Sequence, residues 1–173
     1  MAEHLWPLLR IKAATDEEIK EAYRKIFIET YVQSNEGKQI VITDWDGKRV
    51  YFNPKNFDHA FSESTDYRFG CGDHDIPLSM KRARRILWIK EVLAASKGTI
   101  ERRHQARKDS RNRVMKKRRD FIVVEEKYVV VLEERPDHKE FDFITAFPAD
   151  SSYLEKIRRE SVLVETRKEK PQS

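Results

Sequence analysis

Three segments in the second half of the chain decide the fold: Phe121-Ile-Val-Val124, Tyr128-Val-Val-Val-Leu132 and Phe141-Asp-Phe-Ile-Thr-Ala-Phe147. They are dense in valine and phenylalanine, which favour strands, and no apolar periodicity of helical length runs through them. Pro136-Asp137 marks a turn between the second and third segments. We therefore predict that residues 119–148 form a meander of three adjacent antiparallel strands.

A basic amphipathic helix is predicted just upstream, from about residue 77 to residue 96. Lys81, Arg82, Arg84, Arg85 and Lys90 occupy its polar side, and Gly98 supplies a stop signal. Its apolar stripe consists of Met80, Ala83, Ile86, Leu87 and Leu93. Such a helix can pack across one face of the meander, which predicts an α+β fold with helices packed on an antiparallel β-sheet.

The first half of the chain predicts a helix, a hairpin and a second, short helix. Thr15 and Glu18 have the spacing of a capping box at the start of an amphipathic stretch. Two strand-like runs, 40–43 and 49–52, flank the turn residues Asp46-Gly47. We predict an N-terminal helical extension over 1–36, an α+β domain over 37–160, and a charged, flexible tail over 161–173.

The short helix begins at Asn53-Pro54 and contains one histidine. Phe57 and Phe61 are one turn apart and share a face, whereas His59 lies about 200° around the helix from Phe57. His59 is therefore predicted to face solvent or a cleft. The loop over 62–76 that follows offers zinc one cysteine and one histidine, Cys71 and His74. Zinc takes four ligands, so no metal site is predicted.

The bulk composition indicates a single intracellular domain. The chain has 173 residues, 39% hydrophobic and 38% charged, and one cysteine, which excludes an internal disulfide. No apolar run approaches the length of a membrane span, and the first residues lack the basic and apolar regions of a signal peptide. We expect a cytoplasmic protein with no membrane contact.

Positive charge is concentrated in one segment. Residues 102–119 contain ten of the 35 basic residues and one of the 30 acidic residues, which leaves 25 basic and 29 acidic elsewhere. A field of this kind attracts polyanions, because neutralised phosphates release counterions. The predicted nucleic-acid-binding residues are Arg102, Arg103, Arg107, Lys108, Arg111, Arg113, Lys116, Lys117, Arg118 and Arg119. The alternative is a solvated, flexible basic loop or helix face with no dedicated partner.

Several motifs together resemble a known group of nucleases. Asp58-His-Ala-Phe61, the helix around Arg85-Ile-Leu-Trp-Ile89, and the valine-rich strand pair closing in Thr145-Ala-Phe-Pro148 are similar to the phage-type branch of the barnase–EndoU–colicin–RelE superfamily. The resemblance covers residues 49–148. It implies a barnase/RelE-like fold, helices on a four-stranded antiparallel sheet, and RNA cleavage without metal or cofactor. In that reaction the 2′-hydroxyl attacks the adjacent phosphate, with a base, an acid and cations assisting.

The resemblance also implies roles for individual residues. His59 would act as acid or base, Arg82 or Arg85 would hold the phosphate together with arginines such as Arg118, and Thr145 would orient the phosphate. Strand alternation places Thr145 on the core face with Phe141, Phe143 and Phe147, so it is structural unless a bulge re-aims it. The second acid–base residue stays open among His104, His138 and Glu101.

The predicted function is a metal-independent endoribonuclease, acting as a toxin or as a phage or mobile-element effector. RNA is the expected partner, and an inhibitor or immunity protein is a further candidate. A non-catalytic nucleic-acid-binding protein of the same fold is the first alternative, and a phage structural protein that docks on nucleic acid or an acidic partner is the second. A nuclease requires a histidine and a phosphate-binding arginine to converge in a cleft, which a simple binder does not.

Overall fold

The computed structural model describes residues 4–62, 77–108, 115–136 and 139–168, without the side chains of 106–108 and 115–116. The helices are α1 (Asp16–Phe27), α2 (Phe57–Phe61), α3 (Met80–Ala83), α4 (Trp88–Ala94) and α5 (Ser151–Arg159). A π-helical turn (Ile28–Val32) extends α1, and a 3₁₀ turn (Pro54–Asn56) precedes α2. The strands are β1 (Ile42–Thr43), β2 (Arg49–Tyr51), β3 (Thr99–Lys108), β4 (Met115–Val123), β5 (Tyr128–Glu134), β6 (Phe141–Pro148) and β7 (Val162–Lys168).

All seven described strands belong to one sheet, in the order β1-β2-β6-β5-β4-β3-β7. The predicted meander corresponds to β4, β5 and β6, which are adjacent and antiparallel. The prediction of a purely antiparallel sheet is wrong, because β2 pairs with β6 in parallel through Val50 and Phe141 and through Tyr51 and Asp142. The hairpin of β1 and β2 therefore extends the sheet at the β6 edge of the meander. The fold is α+β with a mixed sheet.

Two strands were missed from the sequence. The basic segment supplies most of β3 and β4, which pair from Ile100 and Val123 to Lys108 and Met115. The stretch predicted as a flexible tail instead forms β7, which pairs with β3 from Thr99 and Lys168 onward. β3 and β7 carry charged residues on both faces, so they lack the apolar alternation that marks a strand in the sequence.

The helix predicted over 77–96 is divided into α3 and α4. Between them the amides of Arg85, Ile86 and Trp88 bond three residues back, to carbonyls of Arg82, Ala83 and Arg85. Other elements use the carbonyls in this region. The Leu9 amide donates to the Arg84 carbonyl at 2.8 Å, and the Tyr31 hydroxyl donates to the Ile86 carbonyl. Tertiary hydrogen bonds therefore compete with the regular helical ladder at this point.

The two faces of the sheet bury different clusters. The larger core joins α1, α2, α3 and α4 to one face, and its largest fully buried side chain is that of Trp88. Tyr23 and Phe27 of α1 are fully buried in it, so the predicted N-terminal extension packs into the main core. A smaller cluster under α5 covers part of the other face, with Leu154 and Ile157 against Ile122 and Val129. No helix in the described part of the chain is long and apolar enough to span a membrane.

Candidate active site

A bulge in β6 turns Thr145 away from the main core. Val131 of β5 is opposite Thr145, but the next residue, Leu132, is opposite Phe143, so Ile144 is an extra residue. Phe143 belongs to the large core, whereas Phe147 packs with the smaller cluster on the opposite face. The bulge thus reverses the alternation expected from the sequence and presents Thr145 on the second face.

Asn56 clamps this bulge to the start of α2. Its side-chain amide nitrogen donates to the carbonyls of Phe143 at 2.9 Å and Ile144 at 2.8 Å. β2 pairs with β6 only as far as Asp142, so the edge of β6 beyond that point is available to α2. The clamp fixes the position of His59, three residues later on α2, relative to Thr145.

His59 is exposed, as its position on α2 predicted, while Phe57 and Phe61 are fully buried. Partial burial of the imidazole, followed by the positive charges of Arg82 and Arg118, lowers the pKa of His59 from its ordinary value of 6.5. Desolvation and nearby cations both disfavour the imidazolium. His59 is therefore mainly neutral at pH 7 and can accept a proton.

Arg82 joins α3 to the edge of β6. Its guanidinium donates to the Ala60 carbonyl at 3.1 Å and to the Thr145 hydroxyl at 3.4 Å, and it lies over the Phe147 ring, 5.3 Å from the centroid. The Ala60 carbonyl belongs to the residue that follows His59. One arginine thus contacts both the helix that carries His59 and the strand that carries Thr145.

Arg118 completes the cluster from β4. It lies directly opposite Glu133 of β5, and its Nε atom is 3.4 Å from the Glu133 carboxylate. The side chains of Arg118 and Glu133 are 24% and 21% exposed, so both groups are within reach of solvent and ligand. The structure therefore gathers His59, Arg82, Arg118 and Thr145 into one cluster, which we call the His59 cluster, with the Glu133 carboxylate beside it.

Arg85 contacts different groups. Its guanidinium donates to the Lys81 carbonyl at 2.7 Å and lies over the Trp88 ring at 5.0 Å. The cations that act on the His59 pKa are Arg82 and Arg118, not Arg85. Of the two helix arginines predicted from the sequence, Arg82 is the one brought to the cluster.

Three arginines predicted to bind nucleic acid are largely buried: Arg102, Arg103 and Arg119 are at most 9% exposed. Arg102 forms ion pairs with Asp46 and Glu165, Arg103 with Glu101, and Arg119 with Glu134. Their burial and pairing favour a structural role, which was not visible in the sequence because partners such as Glu165 of Arg102 come from distant segments.

Five other predicted nucleic-acid-binding residues lie on the paired strands β3 and β4. Lys117 is exposed. Arg107, Lys108 and Lys116 have strand backbone, and Arg111 and Arg113 lie outside the described residues. The prediction of nucleic-acid binding along this segment therefore rests on charge alone for most of these residues. For Arg118 and Lys117 it rests on the position of the side chain as well.

Of the open candidates for a second acid–base residue, the two that the structure describes do not lie in the cluster. His104 has the same strand parity as Ile100 of the main core, and its pKa is lowered by burial and then by Arg119 and Arg102. The Glu101 carboxylate accepts hydrogen bonds from Arg103 and Arg158. His138 lies outside the described residues. Glu133 is the carboxylate beside the cluster, and strand alternation could have identified it only with the β4–β5 register known.

A cavity of about 100 Å³ adjoins the cluster, between α5 and the second face of the sheet. Arg118 and Thr145 line it together with residues of α5 such as Tyr153 and Glu160. Within the described residues, no group of three or more His, Cys, Asp or Glu side chains has the arrangement of a metal site. The His59 cluster offers one histidine, two arginines and a hydroxyl, and the cavity beside it adds the carboxylates of Asp120 and Glu160.

The family model for phage-Barnase-EndoU-ColicinE5/D-RelE like nuclease2 matches residues 26–164. No curated protein and no solved structure matches the chain. The match includes every residue of the His59 cluster, and it confirms the superfamily that the motifs around His59 and Thr145 indicated. A nuclease family implies a nucleic-acid substrate. The chain belongs to the phage-Barnase-EndoU-ColicinE5/D-RelE like nuclease2 family.

Proposed function

We propose that this protein is a metal-independent endoribonuclease, acting as a toxin or a phage effector, with the His59 cluster as its active site. The observation that carries the proposal is that Arg82 hydrogen-bonds to both Ala60 and Thr145, next to a histidine of lowered pKa. An acid–base group, two cations and a hydroxyl thereby lie in one cluster. They can supply the base and the phosphate contacts for attack of a 2′-hydroxyl on the adjacent phosphate.

His59 is assigned the role of general base. Because its pKa is below the ordinary value of 6.5, its imidazole is neutral near pH 7 and can take the proton of the 2′-hydroxyl. The attacking oxygen then bonds to phosphorus and the bond to the 5′-oxygen breaks, with solvent water supplying the proton to that oxygen. The products are a 2′,3′-cyclic phosphate and a free 5′-hydroxyl, and the imidazolium returns its proton to solvent. A deoxyribose lacks the nucleophile, so the reaction selects RNA over DNA.

Arg82, Arg118 and Thr145 are assigned to the phosphate. The charge on the phosphate oxygens grows as the new bond forms, and preorganised cations stabilise that charge without reorganisation. Thr145 can donate one hydrogen bond to a phosphate oxygen while its own oxygen accepts from Arg82. The Glu133 carboxylate, 3.4 Å from Arg118 Nε, is the alternative base if His59 serves as the acid.

The proposal is tested by substituting two histidines in parallel. His59→Ala is expected to lower cleavage of a labelled RNA in EDTA by roughly 10²–10⁴-fold, the usual effect of losing a positioned acid–base group. His104→Ala is the matched control, because His104 is also partly buried beside arginines and its pKa is also lowered. By strand alternation His104 shares the face of β3 that carries Ile100 of the main core. The variant is therefore expected to retain activity in proportion to its folded fraction.

Equal losses in the two variants would remove His59 from the chemistry. Undiminished RNA binding with no cleavage by the wild-type protein would favour the non-catalytic nucleic-acid-binding protein instead.

A further inference from the structure

The cavity between α5 and the sheet is continuous with the proposed phosphate site. Arg118 and Thr145 belong to the His59 cluster and also line this cavity of about 100 Å³. Phe147 lines it too, and the Arg82 guanidinium lies 5.3 Å from the centre of the Phe147 ring. A group bound in the cavity would therefore be next to a phosphate held by Arg82 and Arg118.

The cavity has an aromatic wall with an exposed ring. Tyr153 of α5 is 46% exposed, and it is the one tyrosine, tryptophan or phenylalanine in the described part of the chain that is more than about a third exposed. Its ring and the Phe147 ring are nearly perpendicular, with their centroids 5.5 Å apart and 78° between their planes. Exposed aromatic faces beside a phosphate site are the surfaces on which nucleobases stack, because every base has a π-face.

The charged residues that line the cavity are balanced, since Arg118 and Lys156 accompany Asp120 and Glu160. Asp120, only 3% exposed, and Glu160 both line the cavity. Carboxylates accept hydrogen bonds, and the exocyclic amino groups of guanine, adenine and cytosine donate them, whereas uracil has no amino group. Gln105, which also lines the cavity and donates to Glu160 at 3.4 Å, adds an amide that can donate or accept.

We propose that this cavity is a nucleobase subsite. Tyr153 stacks the base next to the scissile phosphate with Phe147 at its edge, and Asp120 and Glu160 favour bases that have an exocyclic amino group over uracil. The inference rests on the proposed ribonuclease function, since it places the base of the same nucleotide whose phosphate lies at the His59 cluster.

The test measures binding of short RNAs to the His59→Ala protein by fluorescence anisotropy in EDTA. Three RNAs are compared: an intact RNA, and two versions that lack the base on the 5′ or the 3′ side of one phosphate. Tyr153→Leu in this background is expected to weaken binding of the intact RNA roughly 5- to 150-fold, the range for loss of one base stack. The same substitution is expected to leave binding of one of the two abasic RNAs unchanged.

Tyr153→Phe keeps the ring and is expected to bind the intact RNA as the parent does, which separates stacking from any effect of Tyr153→Leu on folding. Equal effects of Tyr153→Leu on intact and abasic RNAs, or no effect on any of them, would overturn the subsite. Cleavage by the wild-type protein is assayed separately. Absence of cleavage would refute the proposed function, while the binding comparison would still decide whether a base occupies the cavity.

Discussion

Removing the Asn56 clamp is expected to impair the active site more than the fold. Asn56→Ala deletes two hydrogen bonds, of 2.9 and 2.8 Å, to the carbonyls of Phe143 and Ile144 at the β6 bulge. At about 0.5–1.5 kcal/mol net each, the loss is about 1–3 kcal/mol in the free energy of unfolding. For a chain of this size that corresponds to roughly 2–12 °C in Tm.

The effect on catalysis follows from the position of Thr145. Without the clamp the bulge can relax, and Thr145 and His59 lose their fixed separation. A misplacement of about 1 Å costs roughly 10²-fold in rate, so kcat/KM for RNA is expected to fall roughly 10- to 100-fold in protein that is still folded at the assay temperature. Urea unfolding and steady-state cleavage of a labelled RNA give the two quantities.

Asn53→Ala is the matched control for the clamp. Asn53 caps the 3₁₀ turn before α2 by accepting from the Lys55 amide at 2.9 Å, a bond that lies within the turn and does not involve β6. Its removal is expected to cost a similar free energy, about 1 kcal/mol, with little change in kcat/KM. The reasoning is refuted if the two alanine variants lose activity equally, or if Asn56→Ala retains full activity.

Four further outcomes are expected. As pH rises through the lowered pKa of His59, kcat/KM should increase about tenfold per unit and then level near neutrality, because the neutral base is the active form; a fall over that range would make His59 the acid. Arg82→Met should reduce kcat/KM roughly 10²–10³-fold, whereas Arg85→Met should have a much smaller effect, and the reverse order would exchange their roles. Arg102→Met should lower stability by about 2–4 kcal/mol in thermal unfolding, without changing the salt dependence of RNA binding; a changed salt slope would return this residue to the RNA surface. Lys117→Gln should reduce the slope of log K against log salt by about one, and an unchanged slope would exclude a phosphate contact there.

Sequence reasoning identified the apolar strands and the exposed histidine because both leave local signals. Valine-rich runs mark β4, β5 and β6, and helical periodicity separates His59 from Phe57 and Phe61. β3 and β7 left no such signal, since ion pairs such as Arg102–Glu165 join positions far apart in the chain. A charged residue buried by a distant partner looks like a surface residue in the sequence.

The bulge is the feature of the site that alternation alone cannot supply. Period-two alternation groups Thr145 with Phe143, and only one extra residue, Ile144, reverses that assignment. The bulge is held by Asn56, which comes from 88 positions earlier in the chain than Ile144. The register of β4 against β5, which brings Glu133 beside Arg118, is likewise a property of the folded sheet.

The most direct test of the central claim is cleavage of a DNA oligonucleotide that contains a single ribonucleotide, in EDTA. Attack by the 2′-hydroxyl predicts one cut, directly 3′ of the ribonucleotide, and a product that ends in a 2′,3′-cyclic phosphate by mass spectrometry. The all-deoxy oligonucleotide should stay intact, and His59→Ala should lose the cut. Cleavage of the all-deoxy strand, or a linear phosphate formed without a cyclic intermediate, would contradict the assignment of the His59 cluster as a metal-independent ribonuclease site.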